Sequence, residues 1–230
     1  MNAQAAWLQK GHFVLGEDQP SFTVATRDEL CRATSLSHLE IVQYPNHPGA
    51  WRHSLYWREG EVNYAEAQFF ASIAKEYPIL SLGVSVEKGL EHASASGDDL
   101  MNRKTWDWVR FVKEVQHLAS VEVEKVAEKR PGQAVTLRIW ARRYDDSANE
   151  PGHETRSFSF FEKQWFKRHG GDSSPSDIAE YVAEIDRREG SWAFASFSHD
   201  LGPGEAERLS PLAAAEILLA FDGIRRRLHR

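Results

Sequence analysis

Two histidines and an adjacent carboxylate and lysine are the residues of this chain best suited to proton transfer. His47 lies in the segment Pro45-Asn46-His47-Pro48-Gly49, whose two prolines fix the backbone and predict a stiff loop. His53 follows on a predicted strand, and Glu87 and Lys88 end another. If those strand ends lie on the same side of a sheet, imidazole, carboxylate and ammonium groups converge there. Histidine titrates near neutral pH, so such a cluster suits general acid–base chemistry.

The same stretch also offers ligands for a metal ion. Three histidines and three glutamates lie near one another in sequence: His38, His47, His53, Glu40, Glu59 and Glu61. Imidazole and carboxylate groups suit zinc or a similar cation. The spacing matches no known metal motif, and surface residues of a plain turn are the alternative interpretation. Glu87 and Lys88 also depart from a restriction-type nuclease site, because adjacent residues of a regular strand point to opposite faces.

A second candidate site lies on one face of a predicted strand. Arg138, Trp140 and Arg142 alternate with apolar residues, and Ser157 and Ser159 are expected across a hairpin. Cations interleaved with an aromatic ring can bind phosphates and stack a base. The alternative is an exposed sheet face on which the arginine stems cover the tryptophan and keep their charges in water.

Several enzyme classes can be recognised by short sequence motifs, and those motifs do not occur in this sequence. The dinucleotide fingerprint, the phosphate-binding glycine loop, the nucleophilic serine elbow and the paired-histidine zincin helix are all missing from the sequence. Cys31 is the single cysteine, so a cysteine-rich zinc site and an intramolecular disulfide are excluded. A formal charge of −6 argues weakly against a general nucleic-acid binder, although it leaves room for a local basic patch.

Cysteine usage and hydropathy also bear on the compartment. A single cysteine fits a reducing environment. The first residues lack the basic and apolar regions of a secretory signal, and no stretch approaches the ~18 apolar residues of a membrane helix. We therefore expect a soluble cytoplasmic protein without a membrane partner.

The elements that must position these residues alternate irregularly between strand and helix. Strand patterns occur at 22–25, 39–44, 51–57, 80–86, 135–142, 156–161 and 192–197. A short helix is predicted to start at Thr26, with Glu29 completing a capping box. Longer helices are predicted at 63–77, 105–131, 174–190 and 210–228. The second begins near Thr105, and the last two open on Ser174-Pro175 and Ser210-Pro211, a capping residue followed by proline.

These elements predict an α+β fold with a mixed, largely antiparallel sheet of about six strands packed with four longer helices. Hydrophobic residues make up 41% and charged residues 27%, a mix that can bury a core. We expect one domain over residues 1–230, with a polar loop at 91–102 as the best candidate boundary.

Two function classes follow from the sequence. The first is a non-enzymatic domain that binds a protein or small ligand, because no catalytic motif is found. The second is a metal-dependent hydrolase of phosphoester or nucleic-acid substrates, centred on His47 and His53. The sequence names no cofactor, and it is compatible with a homo-oligomer.

Overall fold

The computed structural model describes residues 22–34, 36, 38–43, 52–59, 67–74, 79–88, 106–143, 153–188 and 191–229. Its strands are β1 (Glu40–Gln43), β2 (Arg52–Arg58), β3 (Gln68–Ala74), β4 (Leu80–Lys88), β5 (Val135–Arg143), β6 (His153–Phe161), β7 (Gln164–Lys167), β8 (Asp172–Ser173) and β9 (Ser191–Leu201). Its helices are α1 (Phe22–Ala33), α2 (Trp106–His117), α3 (Val123–Lys129), α4 (Pro175–Asp186), α5 (Pro203–Arg208), α6 (Pro211–Ala220) and α7 (Asp222–Leu228).

The α+β class and the largely antiparallel sheet are confirmed. Within the described residues, nine strands form one sheet in the order β1-β2-β3-β4-β9-β5-β6-β7-β8. The strand number exceeds the predicted six, partly because β7 and β8 are too short to leave a sequence pattern: they have four and two residues. The predicted 91–102 loop lies outside the described residues.

The chain divides into two compact units, each assembled from separate sequence segments. The first comprises Met1–Val62, Gln68–Val84 and Ser198–Asp222. The second comprises Asn63–Ala67, Ser85–Phe197 and Gly223–Arg230. The single domain over residues 1–230 stays a prediction.

In the first unit, β1, β2 and β3 pair antiparallel, and α1 packs against α6. The indole N–H of Trp57 on β2 donates to the carbonyl of Thr23 on α1 at 3.1 Å, and both residues are buried. A buried indole thus finds the partner that a desolvated N–H requires. This bond ties α1 to the sheet.

The predicted strand at 22–25 is wrong, because α1 already begins at Phe22. Thr26, predicted to cap a helix, lies buried inside α1, and its hydroxyl donates to the carbonyl of Phe22 at 2.8 Å. Threonine can satisfy its hydroxyl on the preceding helical turn in this way. The capping pattern was therefore present in sequence but not used.

The predicted helix at 63–77 is also wrong where it can be compared, because β3 occupies Gln68–Ala74. Phe70 and Ile73 have helical spacing, but every residue from Ala67 to Ile73 is buried. A strand covered on both faces has no polar alternation, so a continuous apolar run resembles a buried helix. The strand β4 was predicted to be half-buried, and it too is buried on both faces from Leu80 to Val86.

In the second unit, β5, β6, β7 and β8 pair antiparallel, and α2 packs against α4. The β5 side chains predicted to face the core are all buried: Val135, Leu137, Ile139 and Ala141. Thr136, predicted to face the other way, is buried as well. Helix α4 begins as predicted. The Asp177 N–H donates to Ser174 Oγ at 3.1 Å, and the Ser174 N–H donates back to Asp177 Oδ2 at 2.8 Å. This capping box, with Pro175 following, fixes the start of α4.

A π-helical turn at Leu118–Glu122 joins α2 to α3. In this wider turn the N–H of Val123 reaches back to the carbonyl of Leu118. The carbonyl of Ala119 accepts the indole N–H of Trp165 on β7 at 2.7 Å, and this bond is buried. The π turn therefore supplies a tertiary hydrogen bond to the sheet.

The C-terminal segment begins with Ser210 as its N-cap, as predicted. Helix α6 ends at Ala220 with Phe221 as its C-cap, and α7 runs from Asp222 to Leu228. Ile217, Phe221, Ile224 and Leu228, predicted as one apolar stripe, are all buried.

Candidate functional site

The predicted site at His47 and His53 stays a prediction. His47 lies outside the described residues, and so do the side chains of His53 and Lys88. The backbone of His53 pairs with Ile73, and Glu87 is half-buried near the end of β4. Among the residues described, no group of three His, Cys, Asp or Glu side chains is arranged to hold a metal. The metal-dependent hydrolase remains a hypothesis.

The second predicted site is partly described. Arg138 lies opposite Ser157, Trp140 opposite Thr155, and Arg142 opposite His153. Ser159 lies opposite Thr136, so the predicted placement of both serines across the hairpin is confirmed. Arg138 and Trp140 are half-buried, and the side chain of Arg142 lies outside the described part. Anion or nucleic-acid binding by this face stays a prediction.

A serine, a histidine and an aspartate also occur together in the first unit. Ser81 Oγ donates to Asp200 Oδ1 at 2.8 Å, and Ser198 Oγ lies 3.4 Å from the same oxygen. His199 is adjacent to Asp200 on β9, so their side chains point to opposite faces. Its ring packs edge-on against Phe221 instead. Because the hydroxyls reach the carboxylate directly, this group does not form a nucleophilic relay, in which histidine lies between the two.

The feature that most resembles a binding site is an open edge on β6. Strand β7 pairs with β6 only from Phe161 back to Phe158, and the Arg168 N–H then donates to the carbonyl of Ser157 at 3.0 Å. The chain reverses immediately afterwards, since the Lys167 N–H donates to the carbonyl of Gly171. Within the described residues, no strand pairs with His153–Arg156 on the β7 side.

The direction of the backbone groups on that edge follows from strand geometry. Successive residues of a strand direct their N–H and C=O groups alternately to its two neighbours. Ser157 directs its carbonyl toward Arg168, on the β7 side. Thr155 therefore directs its N–H and C=O the same way, beyond the point where β7 has ended. Thr155 is an exposed residue.

Helix α4 forms the other wall of a groove beside this edge. The groove has a volume of about 690 Å³ and is lined by Thr155, Arg156 and Ser157 of β6 and by the Lys167–Gly170 turn. The residues that α4 contributes recur at helical spacing along one side: Asp177, Glu180, Tyr181, Glu184 and Arg187. The Gly170 backbone has φ +91°, a left-handed conformation that glycine adopts readily, and it lets the turn close beside the groove.

A network of charged side chains holds α4 against β6. Glu154 accepts a hydrogen bond from the Tyr181 hydroxyl at 2.9 Å and another from Arg188 Nη1 at 2.7 Å. Arg188 Nη2 donates to Glu184 at 2.5 Å, and Arg156 Nε lies 3.3 Å from Glu154. The guanidinium of Arg156 also lies 4.0 Å from the centre of the Tyr181 ring, within cation–π distance. The position of α4 relative to the open edge is thereby fixed.

The pKa values in this network show which protonation states are favoured. Burial alone would raise the pKa of Glu154, but hydrogen bonds from Arg188 and Tyr181 and two nearby positive charges outweigh it. The pKa of this carboxyl consequently lies below its ordinary value of 4.5. Burial, followed by the hydrogen bond to Glu154, raises the pKa of the Tyr181 hydroxyl. At neutral pH Glu154 is therefore ionised and Tyr181 protonated, so the network stays intact and supplies no group that exchanges protons there.

Sequence reasoning missed this groove, although part of its signal was visible. Tyr181 follows Asp177 by four residues and precedes Glu184 by three, which already indicated a polar side of α4. The open edge was not visible, because it depends on where β7 ends and the chain reverses. Comparisons with known protein families, curated proteins and solved structures found no match to this chain. None of the helices in the described part has the length and apolarity that crossing a membrane requires.

Proposed function

We propose that this protein is a non-enzymatic binding domain that accepts an extended segment of a partner protein as an added strand beside β6. The observation that carries the proposal is the continuation of β6 past the end of β7, next to a groove walled by α4. Strand addition is a common mode of peptide recognition, in which backbone hydrogen bonds supply affinity and adjacent pockets supply specificity. The sequence also predicts a non-enzymatic binding domain, because no catalytic motif is found, and strand addition is one form that such binding takes.

The dimensions of the groove support an extended occupant. The unpaired segment His153–Arg156 covers four residues, and at about 3.4 Å per residue it spans roughly 14 Å. A peptide of about four residues therefore fits along it. The volume of about 690 Å³ lies within the range of roughly 300–1,000 Å³ usual for ligand pockets.

Rigidity of the two walls also supports the proposal. On one side, β6 is paired with β5 from His153 to Phe160, in a register that runs from Val135↔Phe160 to Arg142↔His153. On the other, α4 is held by its capping box and by Glu154. A preorganised groove loses little conformational entropy when a peptide binds, which favours affinity.

The variant Thr155→Pro tests the proposal. Proline removes the one N–H that Thr155 directs to the open edge, and an exposed edge tolerates it better than a central strand does. A phage-displayed library of random peptides is selected on the wild-type protein, and the enriched peptides are synthesised. Their affinities are then measured by fluorescence anisotropy. We expect Thr155→Pro to weaken them about tenfold or more, and the matched control Thr155→Val, which keeps the N–H, to bind within about twofold.

Amide hydrogen exchange gives a second measurement that does not need the proline variant to fold. Saturating wild-type protein with a selected peptide should slow exchange at the Thr155 amide. Failure to enrich any peptide, or equal affinity of the folded proline variant together with unchanged exchange at Thr155, would contradict the proposed function.

A further inference from the structure

The charged side chains in and beside the groove differ in whether they already have partners. Three of the carboxylates in and beside it already have partners: Asp177 in the capping box, Glu184 with Arg188, and Glu154 with both Arg188 and Tyr181. Glu180 forms no ion pair with any described residue.

The cations lining the groove show the opposite pattern. Arg156 is paired with Glu154, but Lys167, Arg168 and Arg187 form no ion pair within the described part of the chain. All three are exposed. Among the described residues the groove therefore presents three positive charges without an ion pair against two negative charges without one, Asp177 and Glu180, and this imbalance attracts an acidic ligand.

The available cations also lie at two separate places. Lys167 and Arg168 are at the turn, where Lys167 lies opposite Phe158 of β6 and the Arg168 N–H donates to the carbonyl of Ser157. After the hydrogen bonds from Ser174, the charge of Lys167 also helps lower the pKa of Asp177, in the first turn of α4. Arg187 follows the last residue of α4. Arg187 lies ten positions after Asp177, and at about 1.5 Å per residue this places the two ends of the wall roughly 15 Å apart.

That separation matches a definite spacing in an extended peptide. Residues i and i+4 of a strand lie about 14 Å apart, and their side chains point to the same face. A single carboxylate, such as a chain terminus, could meet one cation group but not both. Two acidic side chains with three residues between them could meet both.

We infer that the peptide recognised by this groove carries two acidic side chains, Asp or Glu, separated by three residues. One carboxylate pairs with Lys167 and Arg168 beside the turn, and the other pairs with Arg187 at the end of α4. Glu180 lies between these positions along α4 and disfavours an acidic residue in the middle of the peptide. This inference rests on the proposed strand addition and specifies the partner chemistry of the same groove.

The first arm of the test is the composition of the selected peptides. Peptides enriched from the random library on wild-type protein should carry acid-x-x-x-acid, with no acid at the central position. Peptides selected on the double variant Lys167→Glu/Arg168→Glu should lose the acidic preference at one end only. Peptides selected on Arg187→Glu should lose it at the other end. Selection on Lys129→Glu, which changes an exposed lysine of α3 outside the groove, should return the wild-type pattern.

The second arm measures affinity with one selected peptide. Arg187→Glu should weaken its binding about fivefold or more, whereas Lys129→Glu should leave it within about twofold. Replacing the peptide acid that faces Arg187 by lysine should restore binding to Arg187→Glu. Raising the salt concentration should weaken the wild-type complex, since exposed ion pairs are screened.

The outcomes separate this inference from the function on which it rests. Enriched peptides without an acidic bias, whose binding Thr155→Pro still abolishes, would overturn the acidic motif and leave strand addition standing. Acidic peptides with a single required carboxylate, insensitive to Arg187→Glu, would overturn the two-point spacing. An absence of any enriched peptide would contradict both.

Discussion

At the scale of single residues, the most specific contact is the bond between the Trp165 indole and the Ala119 carbonyl, at 2.7 Å. Replacing Trp165 by Phe leaves a buried carbonyl without this donor, at a cost of about 1–3 kcal/mol. Part of the loss in the free energy of unfolding also comes from the smaller ring of phenylalanine. We expect urea unfolding to show that loss in the free energy of unfolding.

Ser120→Ala is the matched control for Trp165→Phe. Ser120 lies in the same π turn, and its hydroxyl donates an exposed hydrogen bond to the carbonyl of Gln116 at 2.8 Å. Its removal should change the free energy of unfolding by about 0.5 kcal/mol or less. Equal stabilities of the two variants would show that the buried indole bond contributes nothing measurable.

At the scale of elements, the stripe of α6 and α7 can be tested at Phe221. Its side chain is 0% exposed, and its ring centre lies 5.1 Å from that of His199. Phe221→Ala should lower the free energy of unfolding by about 3–5 kcal/mol, because a buried ring leaves a cavity. Leu212→Ala on α6 serves as control, since Leu212 is 54% exposed and should change stability by about 0.5 kcal/mol or less. A thermal melt of Phe221→Ala that matches wild type would contradict the burial.

The elements that could be predicted from sequence carry local signals. Ser174 and Ser210, each followed by a proline, predict the starts of helices α4 and α6. The alternation of apolar and polar residues predicts β5. Strand β3 has no such signal, because burial on both faces removes the alternation, and its Phe70 and Ile73 fit a helix equally well. The groove was beyond prediction for a different reason: it depends on how far β7 pairs with β6, which no local pattern fixes.

At the scale of the whole molecule, carboxylates with lowered pKa values, Glu154 and Glu122 among them, make stability depend on acid. Against the effect of burial, hydrogen bonds from Arg188 and Tyr181 lower the pKa of Glu154. Burial alone would raise the pKa of Glu122, but hydrogen bonds from Lys125 and His117 and the charge of Arg227 lower it overall. The folded protein then binds fewer protons than the unfolded chain. The contribution is complete above the ordinary value of 4.5 and disappears as the pH falls through the lowered values.

Glu154→Gln tests this dependence. At pH 7 it should lower the free energy of unfolding by about 1 kcal/mol, a modest figure because Glu154 is partly exposed and its ion pairs are screened. At pH 3 the difference from wild type should shrink, since this pH lies below the ordinary value of 4.5 and the unfolded wild-type chain binds the proton there. Urea unfolding at the two pH values measures both differences. Glu128→Gln, at an exposed position of α3, is the control; a Glu154→Gln deficit that persists undiminished at low pH would contradict the account.

The π turn has a consequence for chain length. A single π turn holds one residue more than the α-helical path between the same two ends. A chain shortened by one residue between Leu118 and Glu122 could close the turn as ordinary α-helix and keep both flanking helices in phase. The shortened chain would be destabilised at the contact with the sheet, because the Ala119 carbonyl would turn back into the helix and Trp165 would lose its hydrogen-bond acceptor. The extra residue and the tryptophan therefore form one structural unit, and related chains that lack one should lack the other.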